Sequence, residues 1–174
     1  MEHQSSSIQV NFTSDVAAQF QAKSKDLIAT KHLYKPNSGM GFEDDPHVTI
    51  IYGLHDVNPP LCVVDIIETY PTFVVTLGSV SLFKSDDTGN PFDVVKVDIR
   101  SSDLHVLNSS LGDECEYTSE FSEYTPHATI AFVKPDSHDH LDGLNSMACL
   151  SFLVNKAIFS SQNGTQRYIS FGVR

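Results

Sequence analysis

Apolar and polar positions alternate between residues 8 and 12, the signature of a short strand with one face buried. Ser14 and Asp15 offer N-caps to a helix over 16–28, where Val16, Phe20, Leu27 and Ile28 fall near one side. Gly, Pro, Asn and Asp crowd 35–46 and predict a long loop. A β-rich run follows at 47–52. Asn58-Pro59-Pro60 starts a second helix over 61–69, which Pro71 ends. Strands are predicted at 73–77 and 80–83, separated by Gly78-Ser79, and at 94–99, where alternation is cleanest. Between them, 84–91 reads as a turn-rich connector. Ser102 caps a third helix with Leu104, Leu107 and Leu111 on one face and Gly112 just past its end. Residues 127–133 form another strand. The segments 150–159 and 168–173 make a closing hairpin around 160–165.

No linker divides this pattern, so the 174 residues are expected to form one domain, 1–174. A 40% hydrophobic content with 19% charged residues excludes a disordered chain. The formal charge of -11 argues against long nucleic acid, whose binding is driven by Lys and Arg neutralising many phosphates. It leaves room for a small phosphorylated ligand in a local pocket. No apolar run approaches the roughly 20 residues of a membrane span, and the polar start at Met1–Ser7 lacks the features of a secretion signal. Cys62, Cys115 and Cys149 are odd in number and widely spaced, so reduced thiols in a cytoplasmic setting are the expectation, with neither a disulfide framework nor a zinc site.

One element repeats. Pro46-His47-Val48-Thr49-Ile50-Ile51 and Pro126-His127-Ala128-Thr129-Ile130-Ala131 share Pro, His, Thr and Ile in step, 80 residues apart. Positions i and i+2 of a strand share a face. His47 and Thr49 therefore point one way and Val48, Ile50 and Tyr52 the other; His127 and Thr129 oppose Ala128, Ile130 and Phe132. The apolar sets must face a core, which turns each His/Thr pair toward a cleft. Two such strands side by side would gather two imidazoles and two hydroxyls around one small volume. Imidazoles titrate near neutrality and can divide into a base and an acid. Threonine hydroxyls can hydrogen-bond phosphoryl oxygens. A phosphodiester set between them could be cleaved with no metal and no cofactor.

These two motifs resemble those of the 2H phosphoesterase superfamily, named for its two histidines, which includes RNA-ligase-like 2′-5′ phosphodiesterases and cyclic-nucleotide phosphodiesterases. The phrases PHVTIIYGL and EYTPHATIAFVKP look most like small phage-encoded members, and phage anti-CBASS enzymes that degrade cyclic oligonucleotide signals belong to this superfamily. The resemblance implies a bilobal α+β fold with pseudo-twofold symmetry, antiparallel sheets lining a central groove and helices outside. It implies acid/base roles for His47 and His127, in an order left open, and phosphate contacts for Thr49 and Thr129. Tyr124 falls where relatives carry a cleft aromatic; it either stacks on a nucleobase or packs at a strand edge. The 35–45 loop reads as a mobile lid or as plain turns. RNA-processing relatives show basic surface around the groove, so this acidic chain points to a small cyclic or linear oligonucleotide, with local attraction from Lys35, Lys84, Lys134 or Arg167.

Two rivals share the groove. A binding module would sequester a nucleotide or RNA end uncleaved, and a structural protein would carry a decayed site; both motifs being complete favours the enzyme. Elsewhere, His138-Asp139-His140 lacks the spacing of a closed metal site. No serine-hydrolase, dinucleotide or P-loop signature occurs.

Overall fold

The computed structural model describes residues 5–173; the first part of the polar N-terminal stretch, residues 1–4, lies outside them. In chain order the elements are β1 (Ser6–Asn11), α1 (Ser14–Leu27), β2 (His47–Leu54), α2 (Leu61–Thr69), β3 (Phe73–Phe83), a single turn α3 (Ser85–Thr88), β4 (Asp93–Arg100), α4 (Ser102–Glu114), β5 (His127–Val133), β6 (Ser151–Val154), β7 (Lys156–Ser160) and β8 (Gln166–Ser170). They build two four-stranded sheets of order β2-β1-β7-β8 and β5-β4-β3-β6, with every strand pair antiparallel. The sheets define two lobes, and each motif strand, β2 and β5, is the outer strand of its own sheet. Helices α2 and α4 pack on each other and beneath the first sheet, while α1 packs on β5. Burial of Ile8, Val10, Val48, Ile50, Val95, Val97, Ala128 and Ile130 turns one face of each sheet to this helical core. The opposite faces carry the polar alternates.

Several boundaries differ from expectation, each for a local reason. The run 73–83 is one strand, because Gly78-Ser79 does not end it: both residues oppose Asp98 in a β-bulge between the pairs Leu77 with Ile99 and Val80 with Val97. A Cβ on Gly78 would press on the Asp98 carbonyl, which is why glycine stands there. The run 150–159 is two strands. Asn155 and Lys156 are both exposed, which breaks the alternation and passes the chain from the second sheet (β6) to the first (β7). Helix α1 starts two residues early behind Thr13, and α4 is capped by Ser101, whose Oγ accepts from the Leu104 N–H, rather than by Ser102. Gly112 lies inside α4, which runs on to Glu114.

The 35–46 segment is tied down along its length. Backbone hydrogen bonds from Tyr34 N to Phe132 O, from Phe132 N to Gly41 O and from Glu43 N to Ile130 O lay it along the free edge of β5. The cysteine expectation is corrected as well: Cys62 of α2 and Cys115 at the end of α4 form a disulfide with Cα atoms 6.0 Å apart, leaving Cys149 free and exposed. Helix packing joins cysteines 53 residues apart, which their spacing could not reveal. Among the described residues, no helix is long and apolar enough to cross a membrane.

Candidate active site

The two motif strands are built alike. Each opens on a histidine after a buried proline, Pro46 or Pro126. His47 Nδ1 lies 2.8 Å from the Asp45 carbonyl and His127 Nδ1 lies 2.9 Å from the Thr125 carbonyl. A carbonyl only accepts, so each Nδ1 carries the proton and donates it. In the neutral ring this leaves the lone pair on Nε2, the nitrogen directed away from the strand's own backbone.

After each threonine the strand bulges at the same place. Gln9 pairs with Thr49 but Ile8 with Ile51, so Ile50 is the extra residue. Lys96 pairs with Thr129 but Val95 with Ala131, so Ile130 is its counterpart. The bulges shift the phase: Ile50 and Ile51 are both buried and Tyr52 is 48% exposed, whereas strict alternation buries Tyr52. The Ile50 carbonyl accepts from Asn108 Nδ2 at 2.8 Å, and the Ile130 carbonyl from the Glu43 N–H at 3.0 Å. Both bulges are therefore held from outside their sheets.

The motif strands β2 and β5 lie against each other. All four motif side chains are half-buried on the faces turned from the helical core. Tyr124 Oη donates to the Thr49 carbonyl at 2.9 Å, which ties the approach to the second motif to the first motif strand. Its ring packs on the core and stands edge-on to His105, and burial raises its pKa. These contacts tie the ring to the first motif strand.

Four further side chains share the groove face, and motif reasoning missed them. Asn11 is the cross-strand partner of His47 and Gln9 of Thr49; Asp98 partners His127 and Lys96 partners Thr129. Within each pair the outer residue is bonded to the inner: Gln9 Nε2 donates to Asn11 Oδ1 at 2.9 Å, and Lys96 Nζ to Asp98 Oδ1 at 2.8 Å. Lys96 also bonds Ser81 Oγ and lies over the Phe83 ring, which stands at right angles to His127. The signal was present in the sequence as two matched runs, Gln9-Val10-Asn11 and Lys96-Val97-Asp98, each a pair of polar alternates in an apolar strand.

The Lys96–Asp98 ion pair stands beside His127, where Gln9 and Asn11 stand beside His47. Burial lowers the pKa of His127; the charges of Lys96 and His47 push the same way, against the Thr125 hydrogen bond and the Asp98 carboxylate. Burial alone would raise the Asp98 pKa, but the hydrogen bonds from Lys96 and Ser81 outweigh it and keep the carboxylate ionised.

The three lysines expected to attract an anion each have a partner within the chain. Lys84 is bound by Asp93, Asp136 and Asp139, the one acidic cluster of metal-binding geometry among the described residues, so an ammonium already holds that position. Lys134 donates to the Lys31 carbonyl and Lys35 lies over Tyr34. Arg167 pairs with Phe159, a core residue, and so sits on the face turned from the groove. Lys96 is the cation beside the motifs.

No family model matches the chain, and no curated protein matches it in sequence. Solved structures do match over nearly the whole length. TT0787 of Thermus thermophilus is similar at TM-score 0.64 and 14% identity, covering 98% of both chains. E. coli LigT complexed with 3'-AMP is similar at TM-score 0.62 and 16% identity, covering 98% of this chain and 96% of that one. Kluyveromyces marxianus Usb1 with uridine monophosphate gives TM-score 0.63 at 9% identity, covering 96% and 98%. Likeness at such identity is a likeness of backbone: the chain has the α+β fold of these structures, the fold of the 2H phosphoesterases, with its two antiparallel sheets.

Proposed function

We propose that the chain is a 2H-type phosphodiesterase, a hydrolase that cleaves a phosphodiester of a small nucleotide by two-histidine acid/base chemistry. One observation carries this reading: His47 and His127 each donate Nδ1–H to the carbonyl two residues before, so two equivalent Nε2 atoms are left for a ligand at the meeting of the motif strands. A merely structural histidine would have no reason to repeat this arrangement in both lobes. The two lobes act as one domain, since each supplies half of the site.

The ion pair beside His127 assigns the roles of the two rings. His127, favoured in its neutral form, takes the proton from the attacking hydroxyl or water as its oxygen bonds phosphorus. As the bond from phosphorus to the leaving oxygen breaks, His47 supplies that oxygen's proton. Thr49 and Thr129 donate to the non-bridging oxygens, and Lys96 behind Thr129 offsets the negative charge that develops there. Tyr124 holds the Thr49 strand in place. The step requires neither metal nor cofactor.

The net charge of -11 and the solved neighbours complexed with 3'-AMP, ATP and uridine monophosphate support a small nucleotide over a long duplex. Within that class we favour a cyclic oligonucleotide, a 2′-5′ or a 2′,3′-cyclic linkage. A phage-encoded enzyme acting against cyclic-nucleotide signalling in the host cytoplasm is the biological setting that the motif phrases suggest. The test is incubation with cyclic di- and trinucleotides, 2′-5′ oligoadenylates and 2′,3′-cyclic mononucleotides, read by product mass. Cleavage of at least one substrate is expected, with products whose masses sum to that of the substrate plus one water where water attacks, or to that of the substrate alone where a ribose hydroxyl attacks and leaves a cyclic phosphate. Recovery of every ligand unchanged across a broad pH range would sink the enzyme and leave the sequestering module.

A further inference from the structure

On the groove face of the first sheet, register lines up a row of side chains that leads away from the motif. Thr49 pairs with Gln9, Gln9 with Ile158, and Ile158 with Tyr168. In-register partners in an antiparallel sheet share a face, so all four stand on one side. The alternates Val10, Ala157, Phe159 and Ile169 belong to the helical core; along the row Gln9 and Ile158 are buried as well, and Tyr168 is open at the far end. With strands about 4.8 Å apart, Tyr168 stands roughly 14 Å from Thr49.

The far end of this row has the makings of a binding surface. Tyr168 is 63% exposed, and Lys156 Nζ lies 4.8 Å from its ring centroid. Both line a cavity of about 360 Å³ that also takes in Asn11, the cross-strand partner of His47, and Leu153 from the second sheet. Leu153 is 52% exposed, as is its partner Val74 at 56%, and both stand on the outer face of the second sheet, opposite the buried Phe152, Val154, Phe73 and Val75. A groove floor with an open aromatic ring, an ammonium against it and bare aliphatic side chains nearby combines what stacked bases and a phosphate require.

We infer that Tyr168 and Lys156 form a second nucleotide subsite, in which a base stacks on Tyr168 and a phosphate one or more linkages from the scissile one pairs with Lys156. This rests on the phosphodiesterase reading and sharpens it. The distance from Thr49 is too great for the base of a nucleotide whose own phosphate lies at the histidines, so the stacked base belongs to another residue of the substrate. The class selected is an oligonucleotide, linear or cyclic, over a 2′,3′-cyclic mononucleotide.

The experiment compares chain-length preference, the ratio of kcat/KM for a 2′-5′ triadenylate to that for a 2′,3′-cyclic mononucleotide. Tyr168→Ala and Lys156→Ala should each lower this ratio about tenfold, and Tyr168→Phe, which keeps the ring, should restore most of it. Tyr168 is largely exposed, so truncation leaves the core intact. A parallel calorimetric titration with a non-hydrolysable phosphorothioate triadenylate, against AMP, reads the same preference without turnover. If no substrate is cleaved, the phosphodiesterase reading fails and the titration still decides the subsite. Ratios and relative affinities that stay within twofold of the unaltered chain in both Tyr168→Ala and Lys156→Ala overturn the inference.

Discussion

Lys96 stands in the second lobe where Gln9 stands in the first. Each is the cross-strand partner of a motif threonine, and each bonds the residue two places on, Asp98 or Asn11, which partners the motif histidine. The two halves of the groove thus share a backbone plan and differ by an ion pair. In the proposed mechanism that difference makes the site directional: a symmetric pair of imidazoles would have no reason to divide the work.

Lys96→Met tests this directly. The lysine cation opposes protonation of His127, and once it is gone the Asp98 carboxylate, no longer neutralised, favours protonation. Both changes raise the His127 pKa. The acidic limb of the kcat/KM profile should therefore move to higher pH, as should the His127 ring signals in an NMR titration. In the unaltered chain the lowered pKa has a further consequence. Because the unfolded chain takes up a proton near pH 6.5 and the folded one only below it, stability falls as pH drops through that window. A limb that stays in place in the variant would remove Lys96 from the account.

His47→Ala and His127→Ala should each lower kcat by about 10²–10⁴-fold. Both rings lie on half-buried groove positions outside the core cluster, so melting should change by less than about 1 kcal/mol. EDTA should leave turnover unaltered, since the acidic cluster at Asp93, Asp136 and Asp139 is held by the Lys84 ammonium. Near-normal turnover in either variant would refute the mechanism.

The parts of this site legible in the sequence are those governed by local rules. His47 and Thr49 share a face because alternation requires it, and the repeat at His127 and Thr129 marks the second half. Helix α2 was legible to the residue, since Pro59-Pro60 and Pro71 bound it. Features that depend on a partner strand or on packing were hidden. The bulges at Ile50 and Ile130 exist only relative to β1 and β4, and so did the exposure of Tyr52. Lys96 read as an ordinary polar alternate until register set it beside Thr129. The switch of sheets at Asn155 left a trace, two adjacent polar residues, that a helix-or-strand reading passes over.

Asn108 reaches from α4 to the Ile50 carbonyl, which the bulge has freed from the ladder. Asn108→Ala would leave that buried acceptor without this donor, at a cost of about 1–3 kcal/mol in chemical denaturation. Because Ile50 directly follows Thr49, kcat should fall further than stability alone explains. A stable, fully active variant would show that the bulge needs no support.

Tyr124→Phe separates the two readings of that residue. A stacking platform keeps its ring in phenylalanine and loses nothing. A brace loses the bond from Oη to the Thr49 carbonyl, worth about 1 kcal/mol in a part-buried setting, and lets the motif strand shift. We expect a less stable variant with reduced kcat. Unchanged kinetics with weakened nucleotide binding in Tyr124→Ala would return Tyr124 to the ligand.

The bridge between Cys62 and Cys115 spans 53 residues and joins α2 to the end of α4, the helix from which Asn108 reaches the first motif strand. Closing a loop of that length removes freedom from the unfolded chain worth about 4 kcal/mol in the chain-entropy picture. Reduction should therefore lower Tm by on the order of 10 °C, and Cys62→Ser should remove that sensitivity. Thiol labelling of the denatured protein gives the composition check, since three cysteines are present and Cys149 is free. One thiol should react before reduction and three after. Three reactive thiols in protein purified without reductant, with a Tm indifferent to reductant, would mean that the two sulfurs pack as neighbouring thiols and that α4 is held by its apolar face alone.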